Sequence, residues 1–401
     1  MQVALLTREY PPEIYGGAGV HVEYLAKELA RLVDVEVHCF GQPRESPLVA
    51  AAYQPWDAID SQNPHDAALR TLSVDLLMAA KVEGADIVHS HTWYANLAGH
   101  LAKLLHGVPH VVTSHSLEPL RPWKAEQLGG GYAVSSFCER TALEAADAVI
   151  AVSSAMRDDV LSCYPAIDPD RIVVIHNGVD TDEFCPDPGT AALSRLGIDP
   201  ERPYVVFVGR VTRQKGIDHL LAAAEHLDPA YQLVLLPSAP DTPEVGDEMR
   251  ARAAKLAGSR DGVLWIEEVL PRPELVQVLT NATVSVCPSV YEPFGLVNVE
   301  AMACETAVVA SAVGGIPEIV IGGETGVLVP LEPGPDGNPA DPARFAADLA
   351  AALNGLLADP DAARRMGKAG RQRALDRFSW SAIAAATVAL YDTLITRLHK
   401  E

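Results

Sequence analysis

What most limits the fold of this 401-residue chain is a regular exchange of short apolar runs with helical patterns, interrupted once and then resumed. In the first half, the spacing predicts strands over 2–7, 34–40, 86–90, 109–113, 147–152 and 171–176. Helices are predicted between them over 19–32, 66–82, 94–106, 133–146 and 154–163. Such alternation builds a parallel, doubly wound sheet. Pro186, Pro188, Gly189 and Pro200 then break the pattern, and 177–203 is predicted to be an interdomain linker. The alternation restarts with strands at 204–208, 231–236, 262–267, 283–287, 307–311 and 326–329. The helices among these fall at 216–227, 243–257, 272–281 and 294–304, and three further helical patterns close the chain after an exposed loop at 332–342. The length exceeds one typical core. The expected fold class is α/β, with two doubly wound domains facing a cleft, because open sheets of this kind take ligands at the carboxyl ends of their strands.

Charge narrows the choice of partner. With 31 Lys+Arg against 53 Asp+Glu the net charge is −22, which argues against nucleic acid or an anionic membrane. No apolar run approaches the roughly 18 residues that span a bilayer, and the first strand is too short and too soon followed by charge for a secretory signal. The six cysteines, at 39, 138, 163, 185, 287 and 304, are scattered without a C-x-x-C pair. Neither a disulfide framework nor a zinc knuckle is indicated, and a reducing cytoplasm is the expected location.

An anionic small substrate would need a local cluster of cations and backbone amides, and three segments offer one. Around residues 289–304, Glu292 precedes a helix start and Glu300 lies within the helix, so free amides are expected at Phe294, Gly295 and Leu296. After the first strand of the second half, Arg210 and Lys215 bracket a short loop leading into a helix. After the first strand of the chain, Gly16, Gly17 and Gly19 sit at a strand-to-helix turn. That turn is neither the dinucleotide fingerprint nor a Walker loop. Each segment alone also fits an ordinary loop. His115, at the end of a strand, is placed towards the cleft, and Asn177 reads as a turn at another strand end. His89 and His91 are expected on opposite faces of their strand with no third ligand evident, so no metal site is expected.

Taken in order, the Gly-Gly near the N-terminus, Gly-Arg-x5-Lys-Gly at 209–216 and the Glu-x7-Glu frame at 292–300 with Pro-Phe-Gly resemble the family 4 retaining glycosyltransferases of GT-B fold. Residues 115–132 are similar to those of the short bacterial glycogen synthases, some of which make α-maltose 1-phosphate. The resemblance implies two Rossmann-like domains, 1–180 with 381–401 on the acceptor side and 181–380 for the nucleotide sugar. It implies that Arg210 and Lys215 hold a diphosphate, Glu300 the ribose, and the Gly16 and Gly17 amides the distal phosphate. Glu292 and His115 would serve catalysis, surrounding the transferred sugar with Asn177 and the amides of Phe294, Gly295 and Leu296.

The implied reaction moves glucose from ADP-glucose to α-glucose 1-phosphate with retention and without a metal or cofactor. The alternatives are elongation of an α-1,4-glucan, another family 4 enzyme with a UDP-sugar donor, and a noncatalytic nucleotide-sugar-binding regulator. Arg121 and Lys124 are the expected cations for an acceptor phosphate, with simple packing of their loop on Trp123 as the other reading. A homodimer is an open expectation. One departure stands out. Polymer-elongating relatives commonly carry Lys-x-Gly-Gly at the first loop, where this chain has Ile14-Tyr15-Gly16-Gly17. The missing cation leaves more of the phosphate charge to Arg210, Lys215 and amides.

Overall fold

The computed structural model describes all residues except 60–62, 64, 122–123, 336 and 399–401, and the chain divides into two compact units. The first comprises 1–177 with 380–401, and the second 178–379.

In the first unit, strands β1 (Gln2–Thr7), β2 (Asp34–Phe40), β3 (Val49–Tyr53), β4 (Ile87–His91), β5 (His110–Ser114), β6 (Ala148–Ala151) and β7 (Ile172–Val174) form one sheet. All its pairings are parallel, in the order β3-β2-β1-β4-β5-β6-β7. Strand β3 is an addition to the sequence reading. Its run, Val-Ala-Ala-Ala-Tyr, is weakly apolar and lies at the sheet edge, where one missing neighbour relaxes the demand for large side chains. Residues of β1 alternate between two cores. Val3 and Leu5 pack with Val22, Leu25 and Ile87 on one face, while Ala4 and Leu6 pack with Val74, Met78 and Val88 on the other.

The last helix, Trp380–Leu398, belongs to this unit and supplies Trp380, Ile383, Tyr391 and Leu394 to the first of those cores. Its hold is polar as well as apolar. The Tyr391 hydroxyl lies 2.6 Å from His89 Nδ1, and His89 Nε2 lies 2.6 Å from Thr113 Oγ1.

In the second unit, β8 (Tyr204–Val211), β9 (Gln232–Pro240), β10 (Val263–Trp265), β11 (Val284–Cys287), β12 (Ala307–Ser311) and β13 (Gly326–Val329) are again all parallel. Their order is β10-β9-β8-β11-β12-β13. Val205 and Phe207 of β8, Leu233 and Leu235 of β9, and Leu349 and Leu353 of the helix Pro342–Ala358 share one core.

The segment expected to be a linker is corrected. Residues 178–203 are part of the second unit and contain a helix, Ala191–Leu196. Asn281 Nδ2 donates to the Gly189 carbonyl at 3.0 Å, and the Ala192 amide donates to Gln277 Oε1 at 3.0 Å. Breaker residues mark the turns here, but partners almost ninety positions away fix the path.

Both sheets have one switch point, where the order reverses direction and a crevice opens at the strand ends. It lies between β1 and β4 in the first and between β8 and β11 in the second. Tyr391→Phe should test the closing helix. It strands His89 Nδ1 in the interior, and the first unit should lose about 1–3 kcal/mol in denaturant unfolding followed by a probe in that unit.

Candidate functional site

The switch point of the second sheet joins two of the expected residues directly. Lys215 Nζ lies 2.6 Å from Glu292 Oε2, and Ser289 Oγ donates to the same oxygen at 2.9 Å. Lys215 comes from the turn after β8, and Ser289 and Glu292 come from the loop after β11, so the pair spans the crevice. Two glycines set its position. Gly216 has φ +63°, and a Cβ there would lie 2.1 Å from the Pro288 carbonyl oxygen. Gly314 has φ +52°, and a Cβ would lie 2.0 Å from the carbonyl oxygen of Glu292 itself. Backbone therefore presses on backbone on either side of the pair, at two positions whose left-handed geometry favours glycine.

The pair is only partly wet, with side-chain exposures of 21 % for Lys215 and 7 % for Glu292. Burial by itself lowers the Lys215 pKa, but the Glu292 carboxylate beside it more than offsets this and holds the ammonium above its ordinary value. The lysine thus keeps its charge and has remaining donors to offer.

Arg210 lies within β8, which runs on past the predicted end at 208 to Val211. Its guanidinium donates to Asp241 Oδ1 at 2.6 Å. The two cations are thus held by different carboxylates, one on each side of the same turn.

The helix expected from 294 begins at Leu296, and Phe294 and Gly295 lie outside it. Gly295 is its cap with φ 106°, and the Gly295 and Leu296 amides donate to no acceptor among the described residues. Phe294 is buried, with its ring edge-on to Phe378 at 5.8 Å. Glu300 lies one turn into the helix. Burial pushes its carboxyl pKa up to about 7, against the pull of Arg272 and Lys215.

The first unit carries the other expected residues. The Gly16 and Tyr15 amides are already used, since both donate to Glu9 Oε2 at 2.8 Å. The first-turn amides of the helix Gly17–Leu29 that remain open among the described residues are those of Gly17 and Ala18. His115 Nε2 lies 3.0 Å from His91 Nδ1, and Asn177 Oδ1 lies 2.7 Å from His21 Nδ1. The rings of His21 and His115 meet edge-on at 4.7 Å.

The expectation for His89 and His91 is corrected here. Residues two apart on a strand share a face, and these rings are 4.3 Å apart. His21 and His115 complete the group, a convergence of one helix with two strand ends that local spacing does not reveal. Burial, with the neighbouring histidines, drives the pKa of His89, His91 and His115 well below the ordinary value, and burial brings that of His21 to about 4. All four are neutral near pH 7. The ligand atoms of His21, His91 and His115 lie within 4.8 Å of one another. Two nitrogens bound at about 2.1 Å to one zinc ion can be no more than about 4.2 Å apart, so the limit is looser than a formed site requires.

Arg121 and Lys124 are not solvent-facing cations. Arg121 donates to Glu118 Oε1 at 2.5 Å, Lys124 Nζ lies 3.6 Å from that oxygen, and each side chain is 14 % exposed. Glu118 is fully buried and also accepts from Ser135 Oγ at 2.6 Å. Burial raises its pKa, but the two cations and this hydroxyl outweigh that and hold it below the usual range. Pro122 and Trp123 of the same loop lie outside the described residues.

Sequence reasoning missed Ser289, which orients Glu292, and Asn298, buried with both side-chain polar atoms lacking a partner among the described residues. A Ser three residues before a carboxylate was a readable signal; nothing in the sequence marked Asn298.

Lys215→Met should leave a mostly buried carboxylate without its cation and cost about 2–3 kcal/mol in the second unit, below the 3–5 kcal/mol of fully buried pairs. A double-mutant cycle with Glu292→Gln, read by denaturant unfolding, should show coupling of at least about 1 kcal/mol.

Residues 15–183 match the description of Glycosyltransferase Family 4, and residues 191–373 match Glycosyl transferases group 1. The α-maltose-1-phosphate synthase of Mycolicibacterium smegmatis is 57% identical over 98% of this chain and 99% of its own. That of Mycobacterium tuberculosis is 56% identical with the same coverage of both. Among solved structures, the sucrose-phosphate synthase of Thermosynechococcus elongatus superposes with a TM-score of 0.76 at 29% identity, covering 99% of both chains. The chain is a glycosyltransferase of GT-B fold, and it belongs to the family that includes the α-maltose-1-phosphate synthases.

Proposed function

We propose that the chain is an α-maltose-1-phosphate synthase, transferring glucose from ADP-glucose to α-glucose 1-phosphate with retention and releasing ADP. The observation that carries this reading is the 57% identity to a synthase of that name over 99% of its length. The residues supply the matching chemistry.

Departure of a nucleoside diphosphate is the costly part of such a transfer, because negative charge grows on the leaving oxygen. Fixed cations and open amides stabilise that charge without reorganising, by a few kcal/mol for each well-placed donor. Lys215, charged and tethered, and Arg210 supply the cations. The Gly295 and Leu296 amides supply donors at a helix start, and those of Gly17 and Ala18 another pair. In our reading Glu292 orients the transferred glucose while holding Lys215, and attack comes from the face the diphosphate leaves. The departing phosphate oxygen then helps take the acceptor proton. Neutral His115, with one ring nitrogen engaged by His91, has the other to offer a sugar hydroxyl, and Asn177 reaches the same group through His21.

Glu300 would take the ribose hydroxyls. Among the described residues no helix is long and apolar enough to cross a membrane, and all six cysteines are unpaired, which supports a cytoplasmic enzyme. Ile14 stands where polymer-elongating relatives commonly carry a lysine. This favours a small acceptor over a glucan.

Two measurements test the reading. Incubation with ADP-glucose or UDP-glucose, against glucose 1-phosphate or glycogen, should yield a disaccharide phosphate by mass spectrometry from the ADP-glucose and glucose 1-phosphate pair. Lengthened glucan as the main product would overturn the acceptor assignment. Donor binding should also release protons, since hydroxyl donors favour the ionised carboxylate of Glu300. Near pH 7 the release should be roughly half a proton, and affinity should strengthen as the pH rises from about 6 to about 8. Calorimetry in buffers of different ionisation enthalpy reads this release, and Glu300→Gln should abolish it.

A further inference from the structure

An acceptor phosphate needs a cation that is not already neutralised, and of the two loop cations expected to serve, Arg121 is the committed one. Arg121 is held by Glu118 at 2.5 Å, and Lys124 shares the same oxygen at 3.6 Å. A different arginine stands at the crevice. Arg8 is the first residue past β1, so it sits at the switch point of the first sheet, beside the end of β4. Its guanidinium carbon lies 4.1 Å from the centroid of the Tyr94 ring, and Lys124 Nζ lies 5.7 Å from the same ring. Arg8 is exposed and enters no hydrogen bond or ion pair with the described residues.

The acids around it are accounted for. Glu9, the next residue, turns its carboxylate to the Tyr15 and Gly16 amides. Glu118 is taken by Arg121, Lys124 and Ser135. Glu139 accepts from the Glu118 amide at 2.8 Å and the Tyr164 hydroxyl at 2.5 Å, and burial brings its pKa up to about 7, so much of its charge is absent. Three cations therefore surround Tyr94 with two fully charged carboxylates, in a chain whose net charge is −22. The local balance is reversed where a switch-point ligand would lie.

The aromatic seat adds geometry to charge. A guanidinium laid on a ring loses little further freedom when its fork meets a phosphate, and the fork can engage two oxygens together. We propose that Arg8, seated on Tyr94 at the switch point of the first sheet, is the residue that binds the phosphate of the sugar-phosphate acceptor, with Lys124 as its second cation. This rests on the synthase reading above and replaces Arg121 as the leading contact.

The test is a KM series for α-glucose 1-phosphate and ADP-glucose with wild type, Arg8→Gln, Arg8→Lys and Tyr94→Leu. In Arg8→Gln the KM for glucose 1-phosphate should rise at least about tenfold, equivalent to about 1.4 kcal/mol. The KM for ADP-glucose should move by less than about twofold, as a folded donor site requires. Arg8→Lys should fall between, keeping charge but losing the fork. Tyr94→Leu should raise the same KM with every charge retained, so the proposal stays testable if Arg8→Gln misfolds and loses donor binding. An unaltered KM for glucose 1-phosphate in Arg8→Gln overturns the proposal and leaves the synthase reading standing. A wild-type protein that transfers no glucose to glucose 1-phosphate overturns both.

Discussion

The Lys215–Glu292 ion pair is the interaction on which the second unit's site depends. In a chain with a large excess of acid, a cation at the crevice must be kept from pairing at random with surface carboxylates. Here one carboxylate is assigned to it, aligned by Ser289 and fixed by two glycines against which the backbone closes. A buried ion pair adds little net stability, since desolvation consumes most of the Coulomb gain. Its value lies in holding a charged ammonium at one place in the crevice. Glu292 is then the anchor of Lys215 and, in the proposed reaction, a contact of the sugar.

The first unit solves a different problem by different means. Its first helix and two strand ends bring together four histidines that burial keeps neutral. Neutral rings can pack closely, edge-on at 4.7 Å for His21 and His115 and tilted at 4.3 Å for His89 and His91, where charged ones would repel. One unit therefore fixes cations at its crevice, while the other gathers uncharged imidazoles. The exception is the corner occupied by Arg8, Tyr94 and Lys124, where positive charge reappears.

Much of this was legible in the sequence because period and punctuation report backbone geometry. The parallel sheets followed from apolar runs alternating with helical patterns. The Lys215 turn and the Glu292 to Glu300 frame followed from glycine, proline and charge at strand ends. What escaped was set by distant partners. The helix Ala191–Leu196 lies in a breaker-rich segment and is fixed by Gln277 and Asn281. The histidine group joins residues 21, 91 and 115, which no local window relates. Arg121 and Lys124 read as available cations because the burial of Glu118, only a few positions away, is invisible before the fold is known. Arg8 was passed over because a lone arginine after a strand is common, and only Tyr94 beneath it distinguishes this one.

The closing helix carries a consequence for synthesis of the protein. Trp380 lies edge-on to His21 at 5.2 Å and parallel to Tyr24 at 5.7 Å, while Tyr391 bonds His89. The wall of imidazoles thus takes its support from residues translated after the whole second unit. While the ribosome is still adding those residues, the histidine group has not met its final packing partners. A nascent chain stalled before Trp380 could complete the second sheet, but the imidazole group of the first unit would still lack its packing partners.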